Sequence, residues 1–295
     1  MKDLTVVIAA YNCKDTILSA INSIEKDIQI IVVNDGSTDG TDKILEDLAL
    51  KKEIKLISIK NHGVSFARNT GLKYVSTSYV MFLDSDDCYC NMNKLINSYC
   101  LESNFIIGSY NAITTNKIVK RCISKKTIIK DKDKLSSIFL IKLYKEHMFK
   151  SVWNKIYDMK IIKENNIKFN INKNNGEDEE FNIKYFLFSK KIIVNPNITY
   201  IYNVNSNGLH RKNELKNICD KIENCNLQRS LSSKLIFKSY CKLQLLKRLI
   251  QLKLYVKKNK SLDGCYLLER IITKIDKNDY INYFIIKNIL KEEKK

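Results

Sequence analysis

The first ninety residues alternate short apolar runs with amphipathic stretches. Leu4-Thr5-Val6-Val7-Ile8-Ala9 is a continuous, β-branched run, the pattern of a strand buried on both faces. Residues 14–25 then place Ile17, Leu18, Ile21 and Ile24 at helical spacing, and residues 28–33 form a second apolar run. Asp39-Gly40-Thr41-Asp42 opens a helix carrying Ile44, Leu45 and Leu48. A third strand is predicted over 54–59, a helix over 64–75 and a fourth strand over 79–83. Strand–helix alternation with short connections implies right-handed βαβ units. The expected class is therefore α/β, with a mostly parallel central sheet flanked by helices.

The pattern loosens after residue 100. Strands are predicted over 105–111 and 117–123, and helices over 132–146 and 158–165. A helix over 177–188 carries Phe181, Tyr185 and Phe188 on one side, and two short strands follow at 192–194 and 198–202. From about 212 the chain reads as basic and helical, with apolar positions Leu231, Leu235, Leu243, Leu246 and Leu249. No internal repeat or flexible linker is visible.

In sheets of this kind ligands bind beyond the carboxyl ends of the strands. The polar clusters fall there: Tyr11-Asn12 after the first strand, Asn34-Asp35-Gly36-Ser37 after the second, Asp84-Ser85-Asp86-Asp87 after the fourth.

Composition narrows the function. The 295 residues are 44% hydrophobic, with 8 Gly and 1 Pro, which excludes collagen-like and Pro-rich architectures and supplies a core. No apolar run reaches the roughly 20 residues of a membrane span. Met1-Lys2-Asp3-Leu4 shows no signal-peptide pattern, so no leader is expected. Nine cysteines without an even framework read as reduced thiols, hence a cytoplasmic protein.

The formal net charge is +19, and it is unevenly spread. Residues 1–90 hold 10 basic and 13 acidic side chains, residues 91–210 hold 20 and 10, and residues 211–295 hold 21 and 9. A Lys-, Asn- and Ile-rich composition, as an AT-rich genome produces, is one explanation. An anionic partner beside the basic two thirds is the other.

Three carboxylate clusters carry candidate chemistry. Asp84-x-Asp86-Asp87 after a buried strand crowds like charges that a Mg²⁺ or Mn²⁺ ion would compensate, the alternative being an acidic turn or helix cap. Asp35, within Asn34-Asp35-Gly36-Ser37-Thr38-Asp39, suits hydrogen bonds to a nucleobase or ribose, or ordinary turn chemistry. Gly176-Glu177-Asp178-Glu179-Glu180 either favours a helix N-terminus through the dipole or offers one carboxylate as a general base. There is no G-x-G-x-x-G and no Gly-Lys-Ser/Thr, which argues against NAD enzymes and P-loop ATPases.

Taken in order, the motifs resemble those of family 2 glycosyltransferases of the GT-A fold, a Rossmann-like sheet flanked by helices. The segments are Val7-Ile8-Ala9-Ala10-Tyr11-Asn12, Ile31-Val32-Val33-Asn34-Asp35-Gly36-Ser37-Thr38-Asp39, Asn61-His62-Gly63-Val64-Ser65-Phe66-Ala67-Arg68-Asn69, Phe82-Leu83-Asp84-Ser85-Asp86-Asp87 and Gly176-Glu177-Asp178. Trp153-Asn154-Lys155-Ile156-Tyr157 also looks like the family. The match is dense over 4–100 and 150–205 and fades after about 210. Where the family often has Pro and Asp, this chain has Ala9 and Asn34.

The resemblance implies an inverting transfer from a nucleotide-sugar, UDP-linked, to a glycan or lipid-linked acceptor hydroxyl. It implies that Ala9, Tyr11 and Asp35 line the nucleobase and ribose pocket and that Arg68 contacts base or diphosphate. Asp84 would hold ribose or a metal-bound water, Asp86 the Mn²⁺ or Mg²⁺, and Asp178 would be the catalytic base. His210, in Gly208-Leu209-His210-Arg211, stands as a third metal ligand of some GT-A enzymes or as a solvated loop histidine. The expected organisation is a glycosyltransferase domain over 1–210, with 1–100 binding donor and 101–210 facing acceptor, and a basic helical C-terminal region over 211–295. Surface polysaccharide or lipooligosaccharide synthesis, peripheral at the inner face of the cytoplasmic membrane, is the expected setting.

Two other classes compete. A GT-A nucleotidyltransferase would normally carry a Gly-rich basic loop where Ala10-Tyr11-Asn12-Cys13 stands. A nucleic-acid-binding protein lacks support from zinc spacing or RNA-binding aromatic motifs, and the acidic first third opposes it, so no nucleic-acid partner is expected.

Overall fold

The computed structural model describes residues 3–98, 103–123, 125–129, 135–173, 175–204, 214–231 and 235–259. The chain divides into two compact units, Met1–Lys173 with Glu177–Gly208, and Asn174–Gly176 with Leu209–Lys295.

The first unit is built on one sheet. Its parallel part has the order β3-β2-β1-β4, from β1 (Leu4–Ala10), β2 (Gln29–Asn34), β3 (Lys55–Ser58) and β4 (Tyr79–Asp84). The connecting helices are α1 (Ile17–Asn22), α2 (Thr41–Leu50) and α3 (Val64–Lys73). β1 and β4 are central, which is why they read as unbroken apolar runs: Leu4, Val6, Val7, Ile8, Val80, Met81, Phe82 and Leu83 are all buried. Gly71 lets α3 lie close on this sheet, since a Cβ there would run into the Val7 side chain.

Past β4 the sheet becomes mixed. β9 (Lys155–Asp158) runs antiparallel to both β4 and β6 (Ser103–Ile113). β10 (Lys191–Asn203) runs parallel to β6, while β5 (Cys88–Tyr89), β7 (Ile118–Arg121) and β8 (Thr127–Ile129) add antiparallel pairs. Short helices α4 (Met92–Ile96), α5 (Ser137–Lys145) and α6 (Met159–Glu164) precede the longer α7 (Glu177–Phe188).

Four elements differ from the sequence pattern. The two strands predicted over 192–202 are one strand, β10, with register shifts between Val194 and Ile198 that take up Pro196, which cannot donate to a ladder. β9 has no alternating signature because its first three residues are all buried. It is reached through Asn154, a buried residue at φ 57 whose side chain bonds Ser109 and Thr199. β5 and β8 are too short to show a period.

In the second unit, α8 (Glu214–Gln228) and α9 (Leu235–Asn259) share an apolar cluster of Ile218, Ile222, Cys225, Leu245, Leu249 and Leu252. Asn224 and Asp220 of α8 bond the backbone of Gly176 and Asn175. Among the described residues no helix is long and apolar enough to cross a membrane.

Candidate active site

The carboxyl ends of β1, β2 and β4 lie side by side, with Ala9 paired to Val33 on one flank and to Asp84 on the other. The loops above them are sewn together by their polar residues. Asn12, at φ 48, donates its N–H to Ser37 Oγ and accepts from Thr38 N–H. Tyr11 projects beside them, 47% exposed. Asp35 is buried, and its two carboxylate oxygens accept the backbone N–H groups of His62 and Gly63 at 2.8 Å each. Asp35 thus holds the loop that enters α3, and Gly63 takes φ 90 there.

α3 delivers Arg68, 5% exposed, into a nest of acids. One guanidinium nitrogen donates to Asp84 Oδ1 at 2.7 Å and another to Asp178 Oδ1 at 2.7 Å, with Glu177 Oε1 at 3.9 Å. Its guanidinium lies over the Phe169 ring at 5.4 Å, and Phe169 stacks on Phe181. Asn69, the next residue, fixes Phe169 by a reciprocal pair of hydrogen bonds at 2.9 Å. Burial alone would pull the guanidinium down, but Asp178, Asp84 and Glu177 outweigh it and hold it above its ordinary value.

Asp178 sits in the first turn of α7. Its second oxygen accepts the Val152 N–H at 3.1 Å. One turn on, Asn182 donates to Phe149 O and Ser151 O and accepts from the Tyr157 hydroxyl. The i, i+4 spacing therefore clamps the segment 149–152 with one helix face. Burial, followed by Glu177 and Asp84, pushes the Asp178 carboxyl up to about 7, while Arg68 and the Val152 N–H pull the other way. A carboxyl raised above its ordinary value is a stronger proton acceptor than a free one.

The three acids after β4 have different surroundings. Asp87 is fully buried, and its oxygens accept the Tyr200 hydroxyl at 2.9 Å and the Asn203 N–H at 2.8 Å. Asn203 in turn bonds Asp86 O at 2.7 Å, and Trp153 stacks on Tyr200 at 4.5 Å. Burial, then Asp84 and Asp86, raises the Asp87 carboxyl. Asp84 and Asp86 are part-exposed. Among the described residues no three His, Cys, Asp or Glu side chains converge as a metal cage. Hard oxygen donors from one or two carboxylates, completed by phosphate and water, are what Mg²⁺ and Mn²⁺ accept, and Asp84 and Asp86 fit that set. His210 lies outside the described residues.

The structure thus brings Asp84, Arg68 and Asp178 together, and sets Ala9, Tyr11 and Asp35 on the adjoining strand ends. Sequence reasoning missed Asn182 and the Val152 N–H as supports of Asp178, and the pairing of Arg68 with an acid 110 positions away. Asn182 was findable, since it stands one helical turn after Asp178.

A family model described as Glycosyl transferase family 2 matches residues 5–164. Glycosyltransferase GlyA of Streptococcus pneumoniae is 30% identical over 223 residues, which cover 70% of this chain and 31% of that protein. The Escherichia coli UDP-Glc:alpha-D-GlcNAc-diphosphoundecaprenol beta-1,3-glucosyltransferase WfaP is 34% identical over 165 residues, 47% of this chain and 64% of that protein. The chain thus spans less than two thirds of either relative. Among solved structures, Staphylococcus aureus TarS 1-349 in complex with UDP-GlcNAc superposes with a TM-score of 0.63 at 18% identity, over 96% of this chain and 79% of that one. Mannosyltransferase PcManGT from Pyrobaculum calidifontis, in complex with GDP-Man and Mn2+, gives 0.55 at 14% identity, over 98% and 85%. At these identities the likeness is one of fold.

Proposed function

Because the chain belongs to glycosyl transferase family 2, we propose that it is a metal-dependent, inverting glycosyltransferase that moves a sugar from a UDP-linked donor to a glycan hydroxyl. Its fold is GT-A. The observation that carries the reading is Arg68 gripping Asp84 and Asp178 at once, so that a strand-end acid and a helix-borne acid meet on one guanidinium. Ala9, Tyr11 and Asp35 line the base and ribose side in this reading, and Asp84 and Asp86 hold the metal side. Mn²⁺ or Mg²⁺ bound there would act as a Lewis acid on the departing diphosphate. Asp178 takes the proton from the acceptor hydroxyl as it attacks the anomeric carbon from the opposite face. The Val152 N–H and Arg68 fix the orientation of that carboxylate.

The acceptor we propose is a lipid-linked glycan of surface polysaccharide synthesis, reached from the inner face of the cytoplasmic membrane. Support comes from the E. coli relative, whose name specifies a diphosphoundecaprenol-linked acceptor, and from the basic charge of residues 91–295. In the proposed organisation residues 1–100 bind donor, 101–210 face acceptor and 211–295 form the basic helical region.

The test is UDP release from UDP-glucose and UDP-GlcNAc, with Mn²⁺ and with EDTA. Release with Mn²⁺ that EDTA abolishes is expected. Asp178→Asn is expected to lower turnover by roughly 100-fold or more while donor affinity stays within about twofold. Full turnover in that variant would remove Asp178 from the base role.

A further inference from the structure

Asn182 stands in the middle of α7 and is fully buried. Asparagine is a poor helix former, and a buried amide needs partners for both its protons and its oxygen. Here all are met. Nδ2 donates to Phe149 O at 2.8 Å and to Ser151 O at 2.7 Å, and Oδ1 lies 2.6 Å from the Tyr157 hydroxyl. That hydroxyl is also 3.0 Å from Val152 O, so its single proton is shared between two acceptors.

The Ser151 C=O and the Val152 N–H are the two ends of one planar peptide. The carbonyl is held by Asn182, and the N–H donates to Asp178 Oδ2 at 3.1 Å. A donor on the carbonyl polarises the amide and strengthens the N–H at its other end. The next carbonyl, that of Val152, is held by Tyr157, so the chain is gripped on both sides of that N–H. Oδ1 of the same carboxylate is taken by Arg68 at 2.7 Å.

We propose that Asn182 and Tyr157 are positioning residues for the reaction: through the 151–152 peptide they aim Asp178 Oδ2 at the hydroxyl whose proton it removes. This inference rests on the base role proposed for Asp178. An oxygen that carries a guanidinium is the poorer base, so Oδ2, bound by an uncharged donor, is the one that takes the proton. Misplacing a reacting group by about 1 Å costs up to roughly 100-fold in rate. The proposed donor residues Ala9, Tyr11 and Asp35 stand at the ends of β1 and β2, whereas Asn182 and Tyr157 stand on α7 and β9, so donor affinity is not expected to change.

The test is a double-mutant cycle on kcat for UDP release from UDP-GlcNAc with Mn²⁺, water serving as acceptor. Tyr157→Phe keeps the ring and removes only the shared proton, and Asn182→Ala removes both amide donors. With Asp178 present, kcat is expected to fall roughly threefold for Tyr157→Phe and roughly tenfold for Asn182→Ala, with the KM for UDP-GlcNAc within about twofold. In the Asp178→Asn background each is expected to change kcat by less than about twofold, because the group they orient is gone. A purely structural role would give the same loss in both backgrounds.

An unchanged kcat, equal losses in the two backgrounds, or a rise in KM with kcat unchanged would overturn the inference. If Asn182→Ala does not fold, Tyr157→Phe carries the cycle; loss of the folded state in both would assign the pair to the core and overturn it as well. Asp178→Asn alone separates the two readings. If that variant keeps full turnover, the base role has failed; if its turnover is low and the losses are equal in both backgrounds, only the present inference has.

Discussion

At the scale of single residues, the site is held by side chains that are fully engaged within the protein. Asp35 illustrates the consequence. Both of its oxygens hold backbone N–H groups of the loop before α3. Asp35→Ala leaves these donors to water, which reaches the exposed loop. The expected cost is about 1–2 kcal/mol of stability, read from the urea midpoint, with a rise in the KM for UDP-sugar as α3 and Arg68 shift. A normal midpoint with normal KM would show that the loop keeps its place without this anchor. Asp84, Asp86 and Asp178 stood out in the sequence because acids cluster there at the ends of apolar runs or at a helix start. The Arg68–Asp178 contact did not, because it joins positions 110 apart and nothing local marks it. The burial of Lys155 was invisible for a related reason. Lysine is normally a surface residue, and only its place between β4 and β6 encloses it.

At the scale of elements, the βαβ half was legible because its central strands β1 and β4 are buried on both faces. β1, β2 and β4 announce themselves by short, largely apolar runs, and α1 and α2 by helical spacing. The second half was less so. β9 carries a lysine and no period, β10 passes through a proline, and β5 spans two residues. The α3–β1 contact gives a test of how closely the site's scaffold is packed. Gly71→Ala places a methyl group against Val7, and this overlap is set against the roughly 1 kcal/mol that alanine gains in a helix. Net destabilisation of about 1–2 kcal/mol is expected. Adding Val7→Ala should recover part of it, so the double variant is more stable than the two single costs added together. Strict additivity in thermal unfolding would show that the helix simply moves away.

At the scale of the whole molecule, the charge is divided between an acidic first third and a basic remainder. If the basic part meets an anionic membrane, each lysine near the surface contributes about 1 kcal/mol, and flotation with phosphatidylglycerol vesicles should exceed flotation with neutral ones. Equal recovery from both would assign the lysines to composition. Ionic strength discriminates between the electrostatics of this surface and those of the site. Mobile ions screen exposed charges beyond about 10 Å at 0.1 M, but they screen far less a buried guanidinium such as Arg68, which meets Asp84 and Asp178 at 2.7 Å each. If the basic residues hold the protein on lipid, high salt should release it while the Arg68 contacts stay assembled, so a salt wash would yield protein free of membrane that still releases UDP from its donor.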